Sequence, residues 1–185
     1  MDEIAPGLWR WTGLHPAWTP EEDWPNEVGS VYYEAPDAVV LFDPLVPPED
    51  EERFWAALDR DVEQAGRRVV VLLTTESHAR SRDEILKRYR ADTGAAPASV
   101  EATDTRWGGE LLYWLPDQRA LVAGDVLLGD DEGGVLLPDS WLGDDREEVR
   151  GALLPLLDLP VERVLVAHGE PVLADGREAL ARALE

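Results

Sequence analysis

Val69-Val70-Val71-Leu72-Leu73-Thr74-Thr75-Glu76-Ser77-His78-Ala79-Arg80-Ser81 is the stretch on which the fold of this chain turns. Its first five residues are all apolar, as in a strand buried on both faces inside a parallel sheet. A polar turn, 74–81, follows at once, and residues 82–90 then read as a helix. Strand, polar turn and helix make up the repeating unit of an α/β fold. In such folds ligands bind beyond the carboxyl ends of the strands, so His78 and its neighbours stand where chemistry is expected.

Working outward, the same grammar recurs. Residues 8–12 and 28–34 read as strands, separated by a loop over 14–26 that is rich in Pro, Trp and acid. Residues 38–42 form a short apolar run that stops at Asp43-Pro44. The acidic start Glu49 to Glu52 opens a helix with Phe54, Trp55, Leu58 and Val62 at helical spacing, and Gly66 ends it. Downstream, 99–103 and 110–115 read as strands, and 120–123 is an apolar strand ending in Gly124-Asp125. A helix over 147–157, with Pro155 late in it, precedes the strand 163–167, which ends in His168-Gly169. Residues 176–184 close the chain as a helix. Nothing reads as a linker, so residues 1–185 are expected to form a single α/β domain. Asp43 and Asp125 both end short apolar strands, a hint of duplicated architecture.

Composition narrows the chemistry. The 185 residues carry a net charge of −22 and are 44% hydrophobic, enough for a real core. That charge repels phosphate backbones and anionic lipid, so no nucleic-acid or membrane role is expected. No apolar run approaches about 18 residues, and the N-terminus shows no signal-peptide pattern; the expected location is cytoplasmic. There is no cysteine, which excludes thiolate nucleophiles and Cys-based metal sites. Lys87 is the only lysine, which argues against a Schiff-base mechanism. With 3 histidines, the chain has too few for an ordinary two-zinc hydrolase centre.

The turn at 74–81, ALVAGD ending at Asp125 and VLVAHGEP containing His168 together resemble the metallo-β-lactamase fold superfamily. The resemblance spans nearly the whole chain and implies a four-layer αββα sandwich. The family motif is T-H-x-H-x-D-H. With its threonine on Thr75, the histidines fall on Glu76, His78 and Ser81, and the aspartate on Arg80. The family's H-T-P-G turn matches Thr105-Arg106-Trp107-Gly108, so Thr105 takes the place of that histidine. The bridging carboxylate matches Asp125 and the last histidine His168. His78, Asp125 and His168 thus keep the family's residue types, and the metal motif is degenerate elsewhere.

Two readings follow. In the first, at most one divalent metal, zinc by preference, is held among Glu76, His78, Asp125 and His168, and the protein hydrolyses an ester, thioester, lactone or phosphoester. Without metal, His168 or His78 would act as general base and Arg80 would steady an oxyanion. In the second, hydrolysis is lost. Arg80, a permanent cation that cannot bind a metal, then pairs with Asp125, and the protein serves as a small-molecule or protein binding module.

Each residue also has a plainer reading. Asp43 orients the loop that carries the motif. Asp125 could cap a turn, and Glu76 and His78 could be ordinary turn residues. His15 belongs to a packed loop with half-buried Trp18 and Trp24, though it could supply a ligand. Trp107 could fill space left by metal and water. The acidic run from Gly129 to Gly134, which includes Asp131, lacks the full calcium-loop spacing and reads as a solvated turn. Ser77, Ser81 and Ser140 have no nucleophile elbow around them.

Overall fold

The apolar run beginning at Val69 is an interior strand, paired in parallel on both sides. The computed structural model describes residues 1–93, 95–130 and 132–185. They group into two units. One comprises Met1–Leu73 and Ser77–Pro97, and the other Thr74–Glu76 and Ala98–Glu185.

The first unit is built on one sheet whose strands lie in chain order: β1 (Asp2–Ala5), β2 (Leu8–Leu14), β3 (Glu27–Glu34), β4 (Ala38–Phe42), β5 (Arg68–Leu72) and β6 (Asp92–Thr93). Pairing is antiparallel from β1 to β4 and parallel from β4 to β6. Parallel neighbours need crossovers, and the chain supplies α1 (Glu51–Ala65) and α2 (Arg82–Tyr89). α1 buries Phe54, Trp55 and Leu58 against Trp11, Tyr32, Val39, Leu41, Val69 and Val71. Val39 pairs with Val69 and Leu41 with Val71, so one face of the sheet presents its apolar side chains in register to the helix. Gly66 ends α1 in the left-handed conformation and returns its N–H to the Val62 carbonyl.

β1 is absent from the sequence reading. It is a four-residue edge strand beginning Asp2-Glu3, with no alternation to reveal it; pairing with β2 makes it a strand. The loop after β2 is packed as expected. Trp18 donates its indole N–H to the Trp24 carbonyl, and the His15 ring meets Trp24 edge-on at 5.2 Å. The His15 Nδ1 accepts the Ala17 N–H.

The second unit holds β7 (Glu101–Asp104), β8 (Leu111–Leu115), β9 (Ala120–Ala123), the short ribbon β10 (Leu128–Gly129) and β11 (Val135–Leu136), and β12 (Arg163–Val166). The sheet order is β12-β9-β8-β7, with β12 parallel to β9 and the other pairs antiparallel. Its helices are α3 (Asp139–Leu142), α4 (Arg146–Leu153) and α5 (Gly176–Ala183). Val149 and Leu153 of α4 and Ala179 and Leu180 of α5 pack with Leu112, Leu121, Ala123, Val164 and Val166 of the strands. The expected helix 147–157 is shorter as an α-helix. It tightens into a 3-10 turn over Leu154–Asp158, because Pro155 has no N–H to continue the ladder. Among the described residues, no helix is long and apolar enough to cross a membrane.

Candidate metal centre

In the first unit the chemistry gathers where β4 ends. Asp43 adopts φ +47, and its N–H donates to the Leu72 carbonyl at 3.1 Å. Its own carbonyl accepts the Ser30 hydroxyl at 2.8 Å and the Arg80 guanidinium at 3.0 Å. Its carboxylate lies 2.9 Å from Nδ1 of His78, with both side chains buried. A carboxylate only accepts, so Nδ1 carries the hydrogen, and a neutral ring then presents its lone pair at Nε2. A carboxylate that fixes the tautomer in this way is the usual support behind a metal-binding histidine. Asp43 therefore orients the motif loop, as the sequence suggested, and acts directly on His78.

Arg80 adopts φ +38, a strained conformation for a non-glycine residue, of order 1–3 kcal/mol. The same Nη1 that reaches Asp43 also donates to the Gly29 carbonyl at 2.7 Å. Ser81 donates its N–H to the Pro44 carbonyl, and its hydroxyl accepts the Val46 N–H at 2.9 Å. Arg80 and Ser81 thus lash the turn to the loop after β4.

In the second unit, Asp125 lies two residues past the end of β9 and His168 two residues past the end of β12. The structure brings these two together, with Oδ1 of Asp125 3.4 Å from Nε2 of His168. His168 is buried, Asp125 half-buried and Glu76 exposed. The His168 carbonyl accepts the Gly129 N–H at 2.9 Å, and the Trp141 ring stands edge-on to the imidazole at 5.8 Å. Gly169 is required twice over. Its φ is +82, and a Cβ there would press on the backbone of Gly129.

The donor chemistry of this pair suits a zinc-type ion. A neutral imidazole nitrogen and a carboxylate oxygen each present a lone pair. Two donors of a tetrahedral zinc with bonds of about 2.0–2.1 Å lie roughly 3.3–3.4 Å apart by simple trigonometry.

Thr105 takes no part as a ligand in its unit. It is fully buried, and both its N–H and its hydroxyl donate to the Glu110 carbonyl, at 3.1 and 3.0 Å. Trp107 is half-buried against the apolar core of the second unit. Glu110, which the sequence reading took only as the start of a strand, is buried, and its carboxylate accepts the N–H groups of Asp125 at 3.0 Å and Val126 at 3.2 Å. In the acidic run, Asp130 accepts the N–H groups of Glu132 and Gly134 and so closes a turn on itself. Asp131 lies outside the described residues.

No protein-family model and no curated protein matches the sequence. Solved structures do. A metallo-β-lactamase from Erythrobacter litoralis, determined with β-mercaptoethanol in the active site, is 14% identical with a TM-score of 0.66, over 99% of this chain and 93% of that one. A metallo-β-lactamase from Pontibacter korlensis is 14% identical with a TM-score of 0.56, over 99% and 95%. A metallo-β-lactamase family protein from Thermus thermophilus is 16% identical with a TM-score of 0.53, over 97% and 79%. The chain therefore has the metallo-β-lactamase fold, the α/β class expected from its sequence. At these identities the likeness speaks for the fold and not for an activity.

Proposed function

We propose that the protein is a hydrolase that uses one divalent metal, zinc by preference, held by His78, Asp125 and His168. Each of the three offers a donor atom of a type that zinc accepts. The observation that carries this reading is the 3.4 Å separation of the Asp125 and His168 donor atoms, the spacing of two ligands on one tetrahedral ion. Support comes from Asp43, which leaves the lone pair of His78 on Nε2. Glu76 is left out of the set because its side chain is exposed.

The substrate class is an ester, thioester, lactone or phosphoester. When bound, the ion supplies Lewis acidity and makes water acidic enough to attack near neutral pH. The chain's own residues do the rest. Asp125 accepts a hydrogen bond from the attacking water and orients it. His168, held against Trp141, keeps its ring plane fixed. Arg80, anchored through Nη1 on the Gly29 and Asp43 carbonyls, is the group that would steady an oxyanion if the reaction ran without metal.

Metal analysis of protein purified without chelator tests this. About one equivalent of zinc, manganese or iron per chain is expected, absent from Asp125→Ala and His168→Ala. Metal-dependent turnover should then appear in a panel of esters and lactones. Protein that takes up no metal after dialysis against zinc would overturn the reading. It would favour the alternative, in which Arg80 pairs with Asp125 and the fold serves to bind a small molecule or another protein.

A further inference from the structure

The buried carboxylate of Glu110 has no role in the reaction outlined above, and burying it is expensive unless its charge is met by hydrogen bonds. Its Oε2 accepts the N–H of Asp125 at 3.0 Å, and its Oε1 accepts the N–H of Val126 at 3.2 Å. The two carboxylate oxygens thus hold two successive peptides, one of which belongs to the residue whose side chain faces His168. These are charge-assisted bonds, about twice as strong as neutral ones.

Its surroundings are built for this task. Thr105 fixes the Glu110 carbonyl from two sides, and the Glu110 N–H donates to the Trp107 carbonyl at 2.8 Å. Gly124 lies beneath the carboxylate. A Cβ at that position would come within 3.0 Å of Oε1 and collide with the Thr74 side chain. The glycine before Asp125 is therefore the space into which Glu110 and Thr74 fit.

We propose that Glu110 is a positioning residue for Asp125. It sets the backbone from which that carboxylate projects, and so sets the geometry of the metal ligand. The turn in which threonine has replaced a histidine thus still serves the centre, through the glutamate at its end. This inference rests on the metal reading given above, with Asp125 as a ligand.

Glu110→Gln keeps the shape but replaces one acceptor oxygen with an NH2 group, which faces a peptide N–H. In metal-free protein, the amides of Asp125 and Val126 should exchange with solvent at least tenfold faster in this variant, while amides of β8 and β12 keep their protection. Zinc affinity should fall about 10- to 100-fold, the usual effect of losing a supporting contact behind a ligand. At saturating cobalt, the visible bands should shift, which a loss of global stability alone would not cause. Glu110→Ala should exceed Glu110→Gln in each respect; if it fails to fold, Glu110→Gln alone decides. Unchanged exchange at Asp125 and Val126 would overturn the proposal. So would wild-type zinc affinity and cobalt bands in Glu110→Gln. A wild-type protein that binds no zinc would sink the metal reading alone, since the exchange measurement still decides whether Glu110 holds Asp125.

Discussion

At the scale of single residues, backbone constraint distinguishes positions that look alike in sequence. Gly133 and Gly169 both have φ +82, but a Cβ at Gly133 would meet nothing, whereas one at Gly169 would strike the Gly129 backbone. Gly133→Ala should therefore cost only the strain of the conformation, about 1 kcal/mol. Gly169→Ala should cost about 1–3 kcal/mol more and loosen the turn that carries His168. Urea unfolding of the two variants in chelator checks the difference, and equal costs would show that the Gly129 contact relaxes freely. His78, Asp125 and His168 stood out as candidates in the sequence because each is a polar residue beyond an apolar run, a signal contained in a few neighbouring letters. Glu110 was not legible. Its partners are the peptides of residues 15 and 16 positions away, and in the sequence it reads only as the first residue of a strand. Thr105 drew notice only as the residue aligned with a family histidine, and its grip on the Glu110 carbonyl was not legible.

At the scale of elements, α1 was plain from its spacing and its glycine stop, whereas β1 and the end of α4 depend on pairing partners and on one proline. The link between α1 and α2 was invisible, because it joins residues 29 and 30 positions apart. Arg88 donates to both oxygens of Asp59, at 2.8 and 2.6 Å, Tyr89 adds its hydroxyl at 2.7 Å, and the guanidinium lies 4.4 Å from the Trp55 ring centre. The Arg88 hydrogen bonds hold the Asp59 carboxyl below its ordinary value of 3.8, against the opposing effect of burial and with further help from the Tyr89 hydroxyl. A carboxyl held low in the folded state stabilises the fold above its unfolded pKa. That contribution is lost as pH falls through the lower, folded value. The pair is 40% and 44% exposed, so solvent screening keeps its worth below about 1 kcal/mol. Asp59→Asn should lower the urea midpoint slightly at pH 7 and leave it unchanged at pH 2. A deficit that persists at pH 2 would mean that packing, not charge, accounts for it.

At the scale of the whole molecule, 39 acids against 17 basic residues leave a net charge of −22. The local arginine pairs weaken as salt rises, but the excess acids repel one another over far longer distances at low ionic strength. Raising sodium chloride from about 10 mM to about 0.5 M shortens the screening length from roughly 30 Å to a few ångströms. The urea midpoint should therefore rise; a fall would mean that the ion pairs outweigh the repulsion. The route of the chain matters for anyone who cuts the gene. Thr74–Glu76 belong to the second unit but lie between two segments of the first. Leu111 gives its N–H to the Thr74 carbonyl at 2.7 Å. No single break in the polypeptide separates the two units: a fragment ending at Pro97 carries away the tripeptide whose Thr74 carbonyl Leu111 holds. Split-protein reporters, or transplants of the C-terminal half onto another scaffold, would have to supply that tripeptide by grafting it back.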